Sequence, residues 1–251
     1  MAPTIDIIRA AHADVNPDGR ADVSEAIGME QCWDLISEYP HRRWVRHIVS
    51  SPLIRAIQTA QYCFLFPEFS TPQITLLPGL QETSIKWKDI GEPLSRLAGE
   101  FGYGINTSEL AGEDWYRKDR GTAMFPSWDK VEERARLVRL WLRDRALPLH
   151  DRDRIVVVTH GFFAHFLTQD FNGITLEDTA GHWLPARCRS FQFADVQGQD
   201  DQARLEETPE SRSTLANWKP LSDDEHAQRK ALAAIILQSQ EPVIRSSRRN
   251  P

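Results

Sequence analysis

The chain has 251 residues, 41% of them hydrophobic and 26% charged, with a formal net charge of −6. That length suffices for a sizeable core in one large domain or two small ones. The acidic balance excludes a nucleic-acid footprint spread over the surface, so any anion site must be local. Three widely spaced cysteines, Cys32, Cys63 and Cys188, with no CxxC pair, argue against a disulfide frame or a cysteine zinc site and fit a reducing compartment. Asp6 and Arg9 sit inside the only apolar run near the start, which argues against a signal peptide. No apolar run approaches the roughly 20 residues of a membrane span. A soluble, cytoplasmic protein with neither nucleic-acid nor membrane partners is expected.

In chain order, Ile5-Asp6-Ile7-Ile8 reads as a buried strand. It delivers Arg9 to its C-terminal edge, where open α/β sheets keep their binding crevices. Residues 14–22 are turn-rich around Asn16-Pro17-Asp18-Gly19. Ser24 is placed as an N-cap, and Ala26, Ile27, Met29, Cys32, Trp33, Leu35 and Ile36 mark an amphipathic helix that Pro40 ends. A second strand is expected over 44–50, a helix over 53–64 after the turn at Ser50-Ser51-Pro52, and a third strand over 73–77. Loop follows over 78–91, then a short helix over 93–101. Residues 102–126 are the least periodic, and the stretch around 83–126 is expected to be an insertion capping a site. The clearest helix spans 127–146, with an apolar stripe of Val131, Ala135, Val138 and Leu142. Ile155-Val156-Val157-Val158 is apolar on both faces and reads as a central parallel strand. After the turn Thr159-His160-Gly161 comes an apolar helix over 162–167. Two late strands over 187–196 and 203–207 follow, then a polar extension from about 216 with a helix over 224–238, and a loose basic tail over 245–251. This order predicts a single α/β domain over 1–251, a three-layer α/β/α sandwich with a mostly parallel central sheet.

Several residues fall at the predicted C-terminal strand edges. A fixed charge at Arg9 is costly beside a buried strand unless an anion or carboxylate meets it; alone it reads as a structural ion pair. Arg55 lies one turn into a helix, where a guanidinium fork adds to the anion preference of a helix start. Alone it is an ordinary surface arginine. His160 sits over a helix N-terminus, and in isolation reads as a satisfied core histidine. His165, five residues on, does not make a helical metal clip with it. Glu82, in the loop after the third strand, is placed to serve as a general acid, or is a solvated loop glutamate. Trp87, Lys88, Trp115 and Lys118, with Phe125 and Phe162, line a substrate mouth or cover the core. The set as a whole describes a cationic pocket with an acid on its rim, which is what a phosphoryl group requires. No metal or organic cofactor is expected.

Four motifs stand in a telling order: Arg9-Ala10-Ala11 with Asn16, Ser51 to Thr59, Leu80-Gln81-Glu82, and Val157 to Gly161. Weaker echoes are Trp115, the run Glu132 to Arg136, and Trp183 leading to Arg189-Ser190-Phe191. On these residues the chain resembles the histidine phosphatase superfamily in its phosphoglycerate mutase-like branch, particularly fungal members, from Ile5 to about Leu215. The resemblance implies a metal-independent hydrolase of a small phosphorylated metabolite on a phosphoglycerate mutase-like fold. It implies that Arg9, Asn16, Arg55 and His160 hold phosphoryl oxygens, with His12 and Gly161 beside them, and that Glu82 protonates the leaving group. In the family a histidine after the first arginine takes the phosphoryl group and water then releases it. That position is Ala10 here. His12, two residues on, would be displaced by about 6–7 Å in an extended loop and is a poor substitute.

Ala10 leaves three readings. The first is a phosphatase whose nucleophile has been exchanged, so that the chain binds without turning over. The second is an acid–base enzyme (dehydratase, isomerase or cyclase) that uses Glu82, His160 and His12 on a small organic metabolite. The third is a non-catalytic binder of an anionic ligand. The sequence carries no sign of oligomeric state.

Overall fold

The computed structural model describes residues 3–65, 72–195, 197–215 and 218–240. In chain order they form β1 (Thr4–Arg9), β2 (Ala13–Val15), β3 (Ala21–Val23), α1 (Ile27–Glu38), β4 (Val45–Ser50), α2 (Ile54–Phe64), β5 (Ile74–Leu76) and α3 (Leu94–Phe101). β6 (Ile105–Asn106), α4 (Trp128–Ala146), β7 (Arg154–Thr159), α5 (Gly161–Thr168), β8 (Cys188–Phe193), β9 (Leu205–Glu207), α6 (Pro209–Ser213) and α7 (Asp223–Ser239) follow.

β7 is central, as its two apolar faces require. It pairs in parallel with β1 from Thr4↔Arg154 to Arg9↔Thr159, and on its other side with β4. β5 and β6 extend the parallel part, and β8 and β9 close the far edge antiparallel, giving the order β6-β5-β4-β7-β1-β8-β9. Side chains alternate across the pleat. Ile5, Ile7, Ile155 and Val157 therefore enter one core with α4, α5 and α7, while Ile8, Val156 and Val158 enter another with α1, α2 and α3. The result is the expected three-layer sandwich with a mostly parallel sheet. Asp6, on the second face and fully buried, accepts hydrogen bonds from Tyr39 Oη (2.6 Å), Ser190 Oγ (2.6 Å) and Arg154 Nη1 (3.2 Å). Both carboxylate oxygens are met, as burial of a carboxylate demands.

Several local expectations are corrected. The turn-rich stretch over 14–22 is a hairpin in which β2 and β3 pair from Ala13↔Val23 to Val15↔Ala21. Its strands are too short to show an alternation, and Gly19 at φ +84° makes its turn. α1 begins later than a Ser24 cap requires: its N-cap is Ala26, and the Ser24 hydroxyl instead accepts the Gly28 N–H (2.8 Å). β6 and α6 arise where no regular element was expected. α7 is opened by Ser222 and Glu225 bonding reciprocally across its first turn. It places Ala233, Ile236 and Leu237 in the core that holds Ile5. Val196, the expected end of the first late strand, and the tail over 245–251 lie outside the described residues. No described helix is long and apolar enough to cross a membrane.

Candidate functional site

The register brings the chemistry to one edge. Arg9 ends β1 opposite Thr159 at the end of β7, and Ser50 ends β4 opposite Val158. The ladder continues past the strand ends: Ala10 N donates to Thr159 O (2.7 Å) and Ser51 N to Val158 O (2.8 Å). Thr159 Oγ1 donates to Leu80 O (2.8 Å), tying the loop that carries Glu82 to the same edge. A cavity of about 360 Å³ opens there, lined by Arg9, Ala10, His12, Arg55, Glu82, Lys88, His160, Gly161 and Phe162 among others.

Arg55 is the hub. Its Nη1 donates to Lys88 O (2.7 Å), and its Nη2 donates to Asp89 Oδ1 (2.6 Å) and to His160 Nδ1 (3.1 Å). A guanidinium has no acceptor, so His160 Nδ1 accepts and the ring proton sits on Nε2, which donates to Ser51 Oγ (2.8 Å). Burial, then the cations Arg55, Lys118, Arg9 and Arg134, push the His160 imidazole well below its ordinary range. His160 is therefore expected to be uncharged at neutral pH. Nitrogen chemical shifts of the ring measure this directly, and an imidazolium signal at pH 7 would contradict the arrangement.

Arg9 donates from Nη1 to Trp183 O (2.6 Å), and burial pulls its guanidinium below the ordinary value despite Glu82 and Asp178 nearby. Glu82 caps the start of α5: its Oε1 accepts from Thr83 N (2.8 Å) and Phe163 N (3.2 Å), its Oε2 from Phe162 N (3.4 Å). The helix N-terminus expected beneath a ligand is thus already held by a carboxylate. Gly161 is needed at this point, because a side chain there would run into Ala180 at 2.6 Å. The opening loop is fixed to α2, since Ala11 N donates to Thr59 Oγ1 (3.0 Å), whose hydroxyl donates to Arg55 O (2.6 Å).

Some expected residues stand elsewhere. Asn16 is in the β2–β3 hairpin, where its Nδ2 donates to Asp22 Oδ2 (2.6 Å), and it does not line the cavity. The hairpin turns the chain away after His12, which carries Asn16 with it. Trp115 is buried in the core with Leu97 and Leu110, and Phe125 is likewise buried away from the cavity. Trp87 lies on the surface beside the cavity, with its indole Nε1 donating to Asp18 O (2.6 Å). Of the 83–126 stretch, Ser84, Lys86, Lys88 and Asp89 reach the cavity wall.

Other contributors could not be placed at the site from the sequence. Asp89, 5% exposed, pairs with Arg55 and accepts from Ser84 Oγ (2.5 Å). Lys118, expected in a turn, is buried and donates to the carbonyls of Glu82 (2.7 Å), Ser84 (2.8 Å) and Asp89 (2.7 Å). Arg134 of α4 is buried over the Phe163 ring at 4.4 Å, and burial lowers it to about 10. Gln240 reaches the cavity and accepts from Thr83 Oγ1 (2.8 Å).

The described residues form a mostly parallel α/β sandwich with two arginines, a histidine and a glutamate gathered at one strand edge. Residues 7–199 match the histidine phosphatase superfamily (branch 1), and the chain belongs to that family. Its sheet and flanking helices are the phosphoglycerate mutase-like fold. Similar solved structures include the ecdysone phosphate phosphatase from Bombix mori in complex with tungstate, with 12% identity, a TM-score of 0.55, and coverage of 88% of this chain and 98% of that one. Mycobacterial hydrolase 2 has 17% identity and a TM-score of 0.50, with coverage of 92% and 98%. No curated protein matches the chain in sequence.

Proposed function

We propose that the cavity receives the phosphoryl group of a small phosphorylated metabolite, and that this chain is a histidine phosphatase-type hydrolase with its nucleophile position filled by Ala10. It binds such a ligand and does not turn it over. The observation that carries the reading is the charge imbalance of the wall. Arg9, Arg55, Lys86 and Lys88 line it against only Glu82 and Asp89, with Lys118 and Arg134 buried behind. A phosphomonoester dianion offsets that excess, and guanidinium forks match its oxygens.

A histidine at position 10 completes the machinery. Its imidazole attacks phosphorus, the bond to the leaving oxygen breaks, and Glu82 supplies that oxygen's proton. Water then cleaves the phosphohistidine. Arg9 and Arg55 meet the charge on the transferring group. Ala10→His is therefore expected to release phosphate from p-nitrophenyl phosphate at least ~1,000-fold above the parent chain, within the range that nucleophilic and electrostatic effects supply. If Ala10→His binds tungstate yet stays inert, the phosphatase reading fails.

One observation favours acid–base chemistry on a phosphate-free metabolite instead: Glu82 accepts three backbone N–H bonds and donates none, as a general base at rest does. That reading expects Glu82→Gln to abolish turnover of a substrate without phosphate.

A further inference from the structure

A second cavity of about 280 Å³ lies beside the first, and Ala21, Arg55 and Lys88 belong to the walls of both. Its character differs. The floor is apolar, built from Leu53 and Ile54 at the start of α2 and from Ile90, Pro93 and Tyr116. Leu53 and Ile54 are 2% and 5% exposed. Trp115, which covers the core, stands behind this wall in edge contact with Tyr116, ring centroids 5.7 Å apart. The rim arginines are already engaged: Arg20 with Asp22 and Glu100, Arg96 with Glu92.

Trp87 stands over this groove with 72% of its surface exposed. A large aromatic left so exposed is informative where it adjoins an apolar groove. It is also held in place. Its Nε1 donates to Asp18 O (2.6 Å), it lies against Gly19, and the short 3-10 turn Trp87–Asp89 is gripped at Lys88 O and Asp89 Oδ1 by Arg55. The same guanidinium thus faces the anion cavity and sets the position of the indole beside it.

We propose that this groove is the leaving-group subsite and that it takes a planar aromatic group, so that the ligand is an aryl phosphate monoester. The proposal rests on the phosphoryl reading of the adjoining cavity. A sugar or glycerol leaving group brings hydroxyls that need hydrogen-bond partners once desolvated; Asp18, Lys88 and Glu92 also line the groove, but the Leu53, Ile54, Ile90 and Pro93 part of its wall has no side-chain partner to give. A prenyl chain loses more rotamer freedom on being held than a rigid ring does. An aromatic ring in this groove packs on Trp87, Ile54 and Ile90, which line it together, in an offset or edge arrangement.

Calorimetry on the parent chain, which retains its ligand, tests this with four probes: inorganic phosphate, glycerol 3-phosphate, 1-naphthyl phosphate and geranyl phosphate. The expected result is that 1-naphthyl phosphate binds at least ~10-fold more tightly than the other three, as one aromatic contact of about 1.4 kcal/mol requires. Trp87→Ala is expected to bring the ratio of naphthyl to glycerol affinities close to one, and Ile90→Ser to reduce it. Because Trp87 is on the surface, its removal leaves the core intact, and circular dichroism checks both variants. Equal affinity for all the phosphates, tighter binding of geranyl phosphate, or an unchanged ratio in Trp87→Ala overturns the aryl subsite while leaving the phosphoryl site standing. Failure of every phosphate, inorganic phosphate included, overturns the phosphoryl site and the subsite with it.

Discussion

Arg55→Met is expected to weaken phosphate and tungstate binding by at least ~100-fold and to destabilise the fold by about 3–5 kcal/mol, the cost of removing one partner from a buried ion pair. Asp89 would keep Ser84 Oγ but lose its counter-charge in a site where only 5% of its side chain meets solvent. Lys88 O and His160 Nδ1 would each lose a donor. The double variant Arg55→Met, Asp89→Asn separates the two roles. Removing both charges should restore most of the stability, because the destabilisation comes mainly from the stranded carboxylate. Ligand affinity should stay lost, because the fork itself is gone. Urea unfolding and calorimetry read the two effects independently. If the double variant regains affinity together with stability, Arg55 holds the loop and does not hold the anion.

What the sequence revealed of this site follows from where information is local. β7 is a continuous β-branched run and β1 is one broken only by Asp6, and a polar residue at or just past the end of each is delivered by strand geometry alone to the sheet edge. Arg9 and His160 were therefore legible, as was Arg55 from its strand-to-helix turn. The stripe of α4 was legible for the same reason, and Val131, Ala135, Val138 and Leu142 are all buried. Arg134, on the same helix, was not, because a buried arginine and a surface one look identical in a charged sequence. Asn16 was misplaced because a three-residue strand pair cannot be read from alternation, and that hairpin carries it away from the edge. Asp89 gave no signal, and Lys118 was legible only as a loop lysine near a mouth or over the core, not as the buried donor to three carbonyls. Each is defined by partners brought together only by the tertiary fold, 34 residues away for Asp89 and Arg55 and 36 for Lys118 and Glu82. Trp115 and Trp87 were indistinguishable as loop tryptophans, and the fold sends one into the core and the other to the surface.

Lys118 has a pH signature that follows from its burial. Desolvation, with Arg134 second, lowers its ammonium from the ordinary 10.5 to about 7, while Asp89 and Glu82 pull the other way. Between pH 7 and 10.5 the unfolded chain therefore carries one more proton than the folded one at this site. Stability must rise with pH across that window, at up to about 1.4 kcal/mol per unit. Below pH 7 both states are protonated and the contribution is flat. Lys118→Met removes the titration, so the gap in unfolding free energy between the parent chain and the variant should widen steadily from pH 7 to pH 10. A gap that stays constant over that range would show that Lys118 does not titrate within the fold. The variant also strips the donors from three carbonyls on the loop that presents Glu82 and Asp89, and unpartnered buried acceptors cost about 1–3 kcal/mol each. The loop should relax, and affinity for tungstate should fall by ~10-fold even though Lys118 does not line the cavity. Lys118→Arg keeps a charge but cannot aim three donors from one nitrogen, so it should lose affinity nearly as far as Lys118→Met. If Lys118→Arg binds as well as the parent, the charge behind Glu82 matters and the three-carbonyl geometry does not.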